Sequence, residues 1–219
     1  GTSLSRQELT SVLTTSVPEL SELEMLWVPS SSSYIYNSDT DEEINGLRGQ
    51  RLYLIVDEAG EIPRIGEIIF RRLWLNGHGR IEVGRAGQFL VRATIDNSVY
   101  QQSRLDFAAG AYCVPPVEQR RGAPQILPGN IKILDHRCIE DLSVKEELKY
   151  ESLLSAAKIK HKPEAKKVRK ARIEEKVAEH PPEEQSAARV RYTKAYKNGE
   201  LTGDFMIISI DGNSEKRFS

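Results

Sequence analysis

The feature that most constrains the fold is a change in sequence texture near Ser143. Before it, short runs of β-branched and aromatic residues alternate with turn residues, which is typical of strands joined by loops. After it, apolar residues recur at helical spacing among many charges. We therefore predict an α+β fold. Residues 1–142 form a domain with a mixed or antiparallel sheet and packed helices, and residues 143–219 form a charged helical segment that ends in a short strand.

Local signals place the elements of the first part. A capping box that starts at Ser5 predicts a helix over 5–16. The nearly continuous apolar run 51–56 predicts a strand in the middle of the sheet, and helical spacing predicts a helix over 63–77. Four prolines predict a loop over 115–128. Further strands are predicted over 25–28, 34–36, 80–83, 89–94 and 131–134.

The second part contains a basic window over 158–176. It holds nine Lys or Arg and three Glu, a balance of about +6. Pro163 is expected to interrupt or start a helix there, and a further helix is predicted over 182–197, before a strand over 205–210.

The window has two interpretations that the sequence leaves open. It contacts nucleic-acid phosphates through its cations, or it is a solvated helix face supported by Glu-to-Lys pairs. Because no aromatic residue lies in the window, stacking on single-stranded bases is not expected of it. The cations assigned to a nucleic-acid contact are Lys166, Lys167, Arg169, Lys170 and Arg172.

Composition narrows the class of protein. A formal net charge of -1 argues against the whole molecule as a polyanion binder, so any nucleic-acid surface is local. Cys113 and Cys138 lack the spacing of a zinc site or a disulfide framework. Without an apolar run of membrane length, we expect a cytoplasmic protein that meets no membrane. The opening Gly-Thr-Ser is typical of a cloning remnant, so we expect a piece of a longer protein.

Asp96 follows directly after the predicted strand at 89–95. A carboxylate in this position is common for a metal ligand in α/β enzymes, but an Asp beside an Asn is also common in a turn. Arg92 and Arg104 lie close in sequence, and an arginine pair clamps phosphate well. Arg104 and Asp106 form a structural ion pair equally well, so the sequence leaves this choice open.

Serine and histidine residues give weaker signals. Four serines at 30–33 can bind phosphate through hydroxyls and amides, but no P-loop signature accompanies them, and a plain loop is favoured. His78 stands in a predicted turn without a second ligand at metal spacing, which indicates a structural role. His136, His161 and His180 lie in charged surroundings and are expected to be exposed.

One stretch carries a family resemblance. Residues 90–100 read LVRATIDNSVY and residues 103–108 read SRLDFA. This succession resembles a signature of phage and plasmid primase-helicase proteins, which carry an archaeo-eukaryotic-type primase domain. The resemblance covers about residues 20–150 and is most specific over 86–121. It implies a DNA primase, a nucleotidyltransferase, with DNA and nucleoside triphosphates as partners and a helicase domain in the parent chain.

The resemblance also implies a metal site. The family holds two divalent ions, Mg²⁺ or Mn²⁺, on carboxylates that activate a hydroxyl and neutralise the triphosphate. Asp96 matches the third motif, which makes it the catalytic carboxylate and metal ligand. The first motif, an Asp-x-Asp pair, is expected ahead of this segment, and no Asp precedes Asp39. The implied site is therefore incomplete in this chain.

The second motif of the family presents Ser and His to phosphate, and it aligns in two ways. Residues 31–34 and residues 49–53 both fit, and Tyr34 or Arg51 then stands where the family has His. The phosphate-binding candidates are Ser33, Arg51, Arg92 and Arg104.

The sequence therefore predicts a fragment of a primase-like domain from a mobile-element replication protein. By itself it is expected to bind nucleotide or nucleic acid weakly and to be inactive in primer synthesis. The alternative is a non-enzymatic scaffold whose helices dock another protein. A pocket that gathers Asp96 with the two arginines favours the first reading, and an exposed apolar patch favours the second.

Overall fold

The structure is a computed structural model that describes residues 3–100, 106 and 108–198, together with the backbone of two strands near the carboxyl end. The predicted α+β class is confirmed. Contacts divide the chain into two compact units. Unit 1 is Gly1–Arg80 with Arg92–Leu153, and unit 2 is Ile81–Val91 with Leu154–Ser219. Relative to the predicted division at 142, residues 81–91 group with the charged helices and residues 143–153 group with the first part.

Two helices of unit 1 form where local signals predict them. Helix α1 spans Arg6–Ser16, and its capping box is complete: the Ser5 hydroxyl accepts from the Glu8 amide at 3.2 Å, and the Ser5 amide donates to the Glu8 carboxylate at 2.7 Å. Helix α2 spans Ile62–Leu75, and its second residue is Pro63, whose fixed φ suits the first helical turn.

A three-stranded antiparallel sheet lies at the centre of unit 1. Strand β1 (Met25–Pro29) lies between β4 (Gln50–Tyr53) and β8 (Gln125–Leu127). The prediction that the 51–56 run is a central strand is wrong, because β4 is an edge strand. Its apolar character has another cause: Leu52, Leu54 and Val56 line a cavity together with isoleucines of α2.

A second antiparallel sheet joins segments that the sequence assigns largely to loops. Strand β2 (Ile35–Asn37) lies between β3 (Glu42–Asn45) and β7 (Val117–Gln119). Strands β7 and β8 correct the predicted loop over 115–128. All four prolines of that segment stand outside the two strands, and both strands are at sheet edges, where proline costs no ladder hydrogen bond.

The core of unit 1 is built mainly on the apolar face of α2. Ile65, Ile69 and Leu73 recur at helical spacing, and Leu73 has no exposed surface. Leu20 is almost equally inaccessible. Trp74 meets the Tyr150 ring edge to face with centroids 6.1 Å apart. The periodicity that predicts α2 is therefore the one that forms the core.

Unit 2 combines a hairpin with helices. Strands β5 (Arg80–Val83) and β6 (Phe89–Arg92) pair in a two-stranded sheet. Helix α3 spans Val144–Ala178, and its residues 154–178 belong to unit 2. Helix α4 spans Gln185–Asn198.

The end of α3 and helix α4 share a small core of their own. Ile173 and Val177 are buried with Ala188, and Tyr192 and Tyr196 pack against them. The backbone of β9 (Phe205–Ile208) pairs antiparallel with that of β10 (Glu215–Phe218). No helix in the described part of the chain is long and apolar enough to cross a bilayer.

Helix α3 differs from the prediction made for Pro163. The sequence predicts that Pro163 interrupts or starts a helix, but α3 continues through it. A proline inside a helix removes one hydrogen bond and crowds the preceding turn. The rest of this long helix, together with its packing at 173–177, outweighs that local cost.

Candidate functional site

Unit 1 contains a cavity of about 1160 Å³. Its walls come from α1, β4, α2 and the segment 94–100. Most of the surface is apolar, which is usual for ligand sites. The polar and charged residues that line it are Ser3, Arg48, Gln50, Arg51, Tyr53, Arg80, Thr94, Asp96, Tyr100 and Asp106.

Two residues of β4 hold a carboxylate at this cavity. The Arg51 Nε atom lies 2.9 Å from Asp106 Oδ1, and the Tyr53 hydroxyl donates to the other oxygen of the same carboxylate. Arg51 and Tyr53 are two residues apart on a strand and so project from the same face. Burial and the bond to Asp106 raise the pKa of Tyr53. Asp106 therefore pairs with Arg51, while its predicted partner Arg104 lies outside the described residues.

Asp96 has a local structural role at the edge of the same cavity. Its carboxylate accepts a hydrogen bond from the Ser98 amide at 3.0 Å and so caps the short 3-10 helix Asn97–Tyr100. Burial is the larger of two causes that raise the pKa of Tyr100 to about 12, and the negative charge of Asp96 is the other. The turn interpretation of Asp96 is supported, and its place in the lining of the same cavity as Arg51 keeps it a candidate for ligand contact.

The described residues of the cavity do not fit a divalent metal centre. In the described part of the chain, Asp96 belongs to no group of three potential ligands within 4.8 Å of one another. Asp106 is the second carboxylate of the cavity, and Arg51 and Tyr53 already bind it. Mg²⁺ and Mn²⁺ require several oxygen ligands, so the implied catalytic ion has no adequate set here.

Ser33 occupies a structural position. It is completely buried, and its hydroxyl donates to the Gly49 carbonyl at 2.9 Å while it accepts from the amides of Arg48 and Gly49 at 3.1 and 3.2 Å. The predicted phosphate contact does not fit this placement, because no face of the hydroxyl is open. The same bonds join residues 31–34 to residues 49–53, so the two alternative second motifs are neighbours in space.

Arg92 is not brought to the cavity. It ends β6, is partly buried, and is not among the residues that line the cavity. Arg104 lies outside the described residues. Arg92 therefore does not take part in the predicted phosphate clamp at Asp96. Among the described residues that are predicted to bind phosphate, Arg51 lines this cavity.

The predicted nucleic-acid residues separate into two groups. Lys166 and Arg169 line a groove of unit 2, and Lys167 and Lys170 are exposed on α3. Arg172 donates to Glu175 at 2.7 Å, one turn further along, as expected of a solvated helix face. The solvated-face interpretation therefore fits Arg172, and the nucleic-acid interpretation of the other residues stays a prediction.

One group of potential metal ligands has no signal in the sequence. Asp57, Asp135 and His136 place ligand atoms within 4.8 Å of one another. A parallel bridge between Val56 and Leu134 brings the segments together. Asp57 accepts from the backbone amide of His136 at 2.9 Å and lies 3.0 Å from its ring Nδ1.

The group is better explained by local structure than by a metal. Arg137 donates to both oxygens of Asp135, at 2.9 and 2.7 Å, and its amide donates to the same carboxylate. These bonds lower the pKa of Asp135 to about 2. A cation would have to displace the guanidinium. The expectation that His136 is exposed holds only in part, since 28% of its side chain is accessible.

The bonds between Arg137 and Asp135 predict that the free energy of unfolding decreases in acid. A carboxylate with a lowered pKa adds stability above its ordinary pKa near 3.8 and loses it as the pH falls through about 2. We expect the free energy of unfolding to fall less between pH 4.5 and pH 2 in Asp135→Asn than in the wild type, as measured by urea denaturation. Arg137→Gln, which removes the partner, should behave in the same way. Parallel curves for all three proteins would contradict the assigned bonds.

The chain was also compared with known proteins. No family model matches it, and neither the comparison with curated proteins nor that with solved structures gives a match.

Proposed function

We propose that unit 1 is a primase-like domain that binds the phosphates of a nucleotide in its cavity, and that this chain alone does not synthesise primers. The observation that carries the proposal is the position of Arg51. This residue, selected by the second-motif resemblance, lines one cavity together with Asp96 of the third motif.

The charges of the cavity suit a polyphosphate. Arg48, Arg51 and Arg80 line it, against two carboxylates. Guanidinium groups bind phosphate oxygens through paired N–H donors and keep their charge at all relevant pH values. Asp106 holds Arg51 in a fixed orientation at 2.9 Å, so the guanidinium is positioned before a ligand arrives.

The apolar walls suit the rest of a nucleotide. Leucines of α1 and isoleucines of α2 line the same cavity as the arginines. The flat faces of a base and the carbon atoms of a sugar are weakly polar, and their burial against aliphatic side chains is favourable. The volume of about 1160 Å³ exceeds the usual upper range of about 1,000 Å³ for small-molecule sites, so a nucleoside triphosphate can enter.

The proposed inactivity in primer synthesis rests on the number of carboxylates. Phosphoryl transfer of this family needs metal ions that neutralise charge on the triphosphate. The described residues offer Asp96 and an Asp106 that is already paired. We therefore expect binding without turnover.

The test is the affinity for a fluorescent ATP analogue, measured by anisotropy. Arg51→Gln should weaken binding about tenfold to a hundredfold, because a charge-assisted contact contributes about 1.5 to 3 kcal/mol. Asp106→Asn is the matched variant, since it breaks the same ion pair but removes negative charge. It should leave binding unchanged or make it stronger.

Controls separate the site from the fold. Arg85→Gln changes an exposed arginine of unit 2 and should bind like the wild type. Asp96→Ala, measured with and without Mn²⁺, should show no metal-dependent loss. Equal losses in Arg51→Gln and Asp106→Asn would indicate a structural effect, and no binding by the wild type would favour a non-enzymatic scaffold. Primer synthesis by the chain would overturn the expected inactivity.

A further inference from the structure

Unit 2 has a groove of about 550 Å³ with a single sign of charge. A stripe of four cations on α3 forms one wall, and the lining is mostly apolar because their aliphatic stems contribute to it: Lys158, Lys162, Lys166 and Arg169. The ring of Phe89, on β6, contributes to the other side. The described residues that line the groove include no Asp or Glu.

The stripe follows from helical geometry. Its members are spaced by four, four and three residues, which places them on one face of the helix, over about 16 Å of its length. Like charges at this spacing repel one another and destabilise a helix by a few tenths of a kcal/mol per pair. The arrangement therefore does not serve the stability of α3, and an anionic ligand would relieve the repulsion.

The described part of α3 offers few acidic residues near the groove. In the described part of α3, the one Glu between residues 152 and 173 is Glu164. Its carboxylate lies 3.1 Å from the ring of His161, and it is not among the groove residues. The charged residues among the described groove lining are thus all positive, although the chain as a whole carries a net charge of -1.

The hairpin is held against the helix by close packing. Gly87 has φ +72°, and a Cβ atom there would lie 2.4 Å from the carbonyl oxygen of Ala165. The Arg169 Nη2 atom donates to the Gly87 carbonyl at 3.1 Å. Phe89 follows two residues later and remains partly exposed. An aromatic ring is thereby fixed beside the cations, although the basic window of the sequence has none.

We infer that this groove binds single-stranded nucleic acid. The stripe contacts successive phosphates, and one base stacks on the ring of Phe89. Cations along a track combined with an aromatic platform are the chemistry of strand binding without sequence preference. A duplex keeps its bases stacked on each other and offers none to Phe89, so the single strand is preferred. This extends the proposed function to a second unit and does not depend on the nucleotide site.

The first test measures anisotropy of a labelled oligo-dT with the full chain. If all four cations meet phosphates, the slope of log K against log salt should be about −3, since each contact on a single strand contributes about −0.7. Lys158→Gln, Lys162→Gln and Lys166→Gln combined should reduce the slope to about −1 and weaken binding at least about tenfold. The control combines Lys145→Gln and Lys149→Gln, which alter exposed lysines of the same helix outside the groove.

The second test isolates the ring. Phe89→Leu keeps apolar volume in the hairpin but removes the π face, and it should weaken oligo-dT binding about tenfold, whereas Phe89→Trp should retain it. Neither variant should change the weaker binding of a duplex of equal length. Comparable losses in both variants, or equal affinity of the wild type for single strand and duplex, would overturn the stacking assignment.

The remaining outcomes distinguish this site from the nucleotide cavity. Arg51→Gln should leave oligo-dT binding unchanged, and Phe89→Leu should leave the ATP analogue unaffected. No oligo-dT binding at low salt, with binding of an acidic peptide instead, would replace nucleic acid by a protein partner and refute the inference. Loss of oligo-dT binding in Arg51→Gln alone would assign the strand to the cavity of unit 1.

Discussion

Leu73→Ala is expected to lower the free energy of unfolding by about 2 to 5 kcal/mol. Leu73 lies on the buried face of α2 and has no exposed surface. Removing its branched end deletes apolar burial and leaves a cavity that the rigid helix cannot fill, and both effects add. The measurement is urea denaturation followed by tryptophan fluorescence, since Trp27 and Trp74 are both buried in unit 1.

The same substitution at an exposed position is the control. Leu148 on α3 is 63% exposed, and Leu148→Ala should change the free energy of unfolding by about 0.5 kcal/mol or less. A loss below about 1 kcal/mol for Leu73→Ala would mean that α2 is not packed as the structure describes. The ATP analogue should still bind to the fraction of Leu73→Ala that remains folded, because Leu73 does not line the cavity.

Gly87→Ala is expected to destabilise unit 2 by about 2 to 4 kcal/mol. Two causes combine: an L residue at φ +72° is strained, and its Cβ atom would meet the Ala165 carbonyl at 2.4 Å and Arg169 Cβ at 2.8 Å. Neither neighbour yields easily, since one is helix backbone and the other is the base of a side chain. The change should also displace Phe89 and weaken oligo-dT binding.

Gly122→Ala separates the two causes. Gly122 has nearly the same backbone angle, φ +71°, but a Cβ atom there meets nothing within 4 Å. It should cost only the strain, about 1 kcal/mol. Stability is measured by thermal unfolding, followed by circular dichroism at 222 nm. The additional loss of stability in Gly87→Ala then measures the contact between hairpin and helix. Equal effects of the two variants would show that the turn does not press on α3.

Elements with strong local causes are the ones that the sequence predicts well. The capping box at Ser5 starts α1, and the apolar spacing of α2 identifies its core face. Hydrogen bonds between residues three or four apart and the side-chain period of a helix are properties of a short segment. The strands predicted over 80–83 and 89–94 also form, as β5 and β6.

The predictions from sequence are wrong where the structure of a segment depends on distant parts of the chain. Strand β4 is predicted to be central but lies at the edge of its sheet, and its apolar residues line a cavity together with isoleucines of α2. Strands β7 and β8 form between prolines, since β2 and β1 supply the partners. The burial of Ser33 depends on backbone amides fifteen and sixteen residues further along the chain.

The candidate sites likewise combine residues that the sequence identifies with contacts that depend on distant segments. The sequence by itself determined the α+β class, helices α1, α2 and α4 and the basic window, and it singled out Arg51 and Asp96 as site candidates. Only the tertiary structure decided that Asp106 pairs with Arg51 and that Phe89 stands beside the lysines of α3. Local patterns act through the backbone of neighbouring residues, whereas a site depends on which segments pack together, and that is determined by the burial of the whole chain.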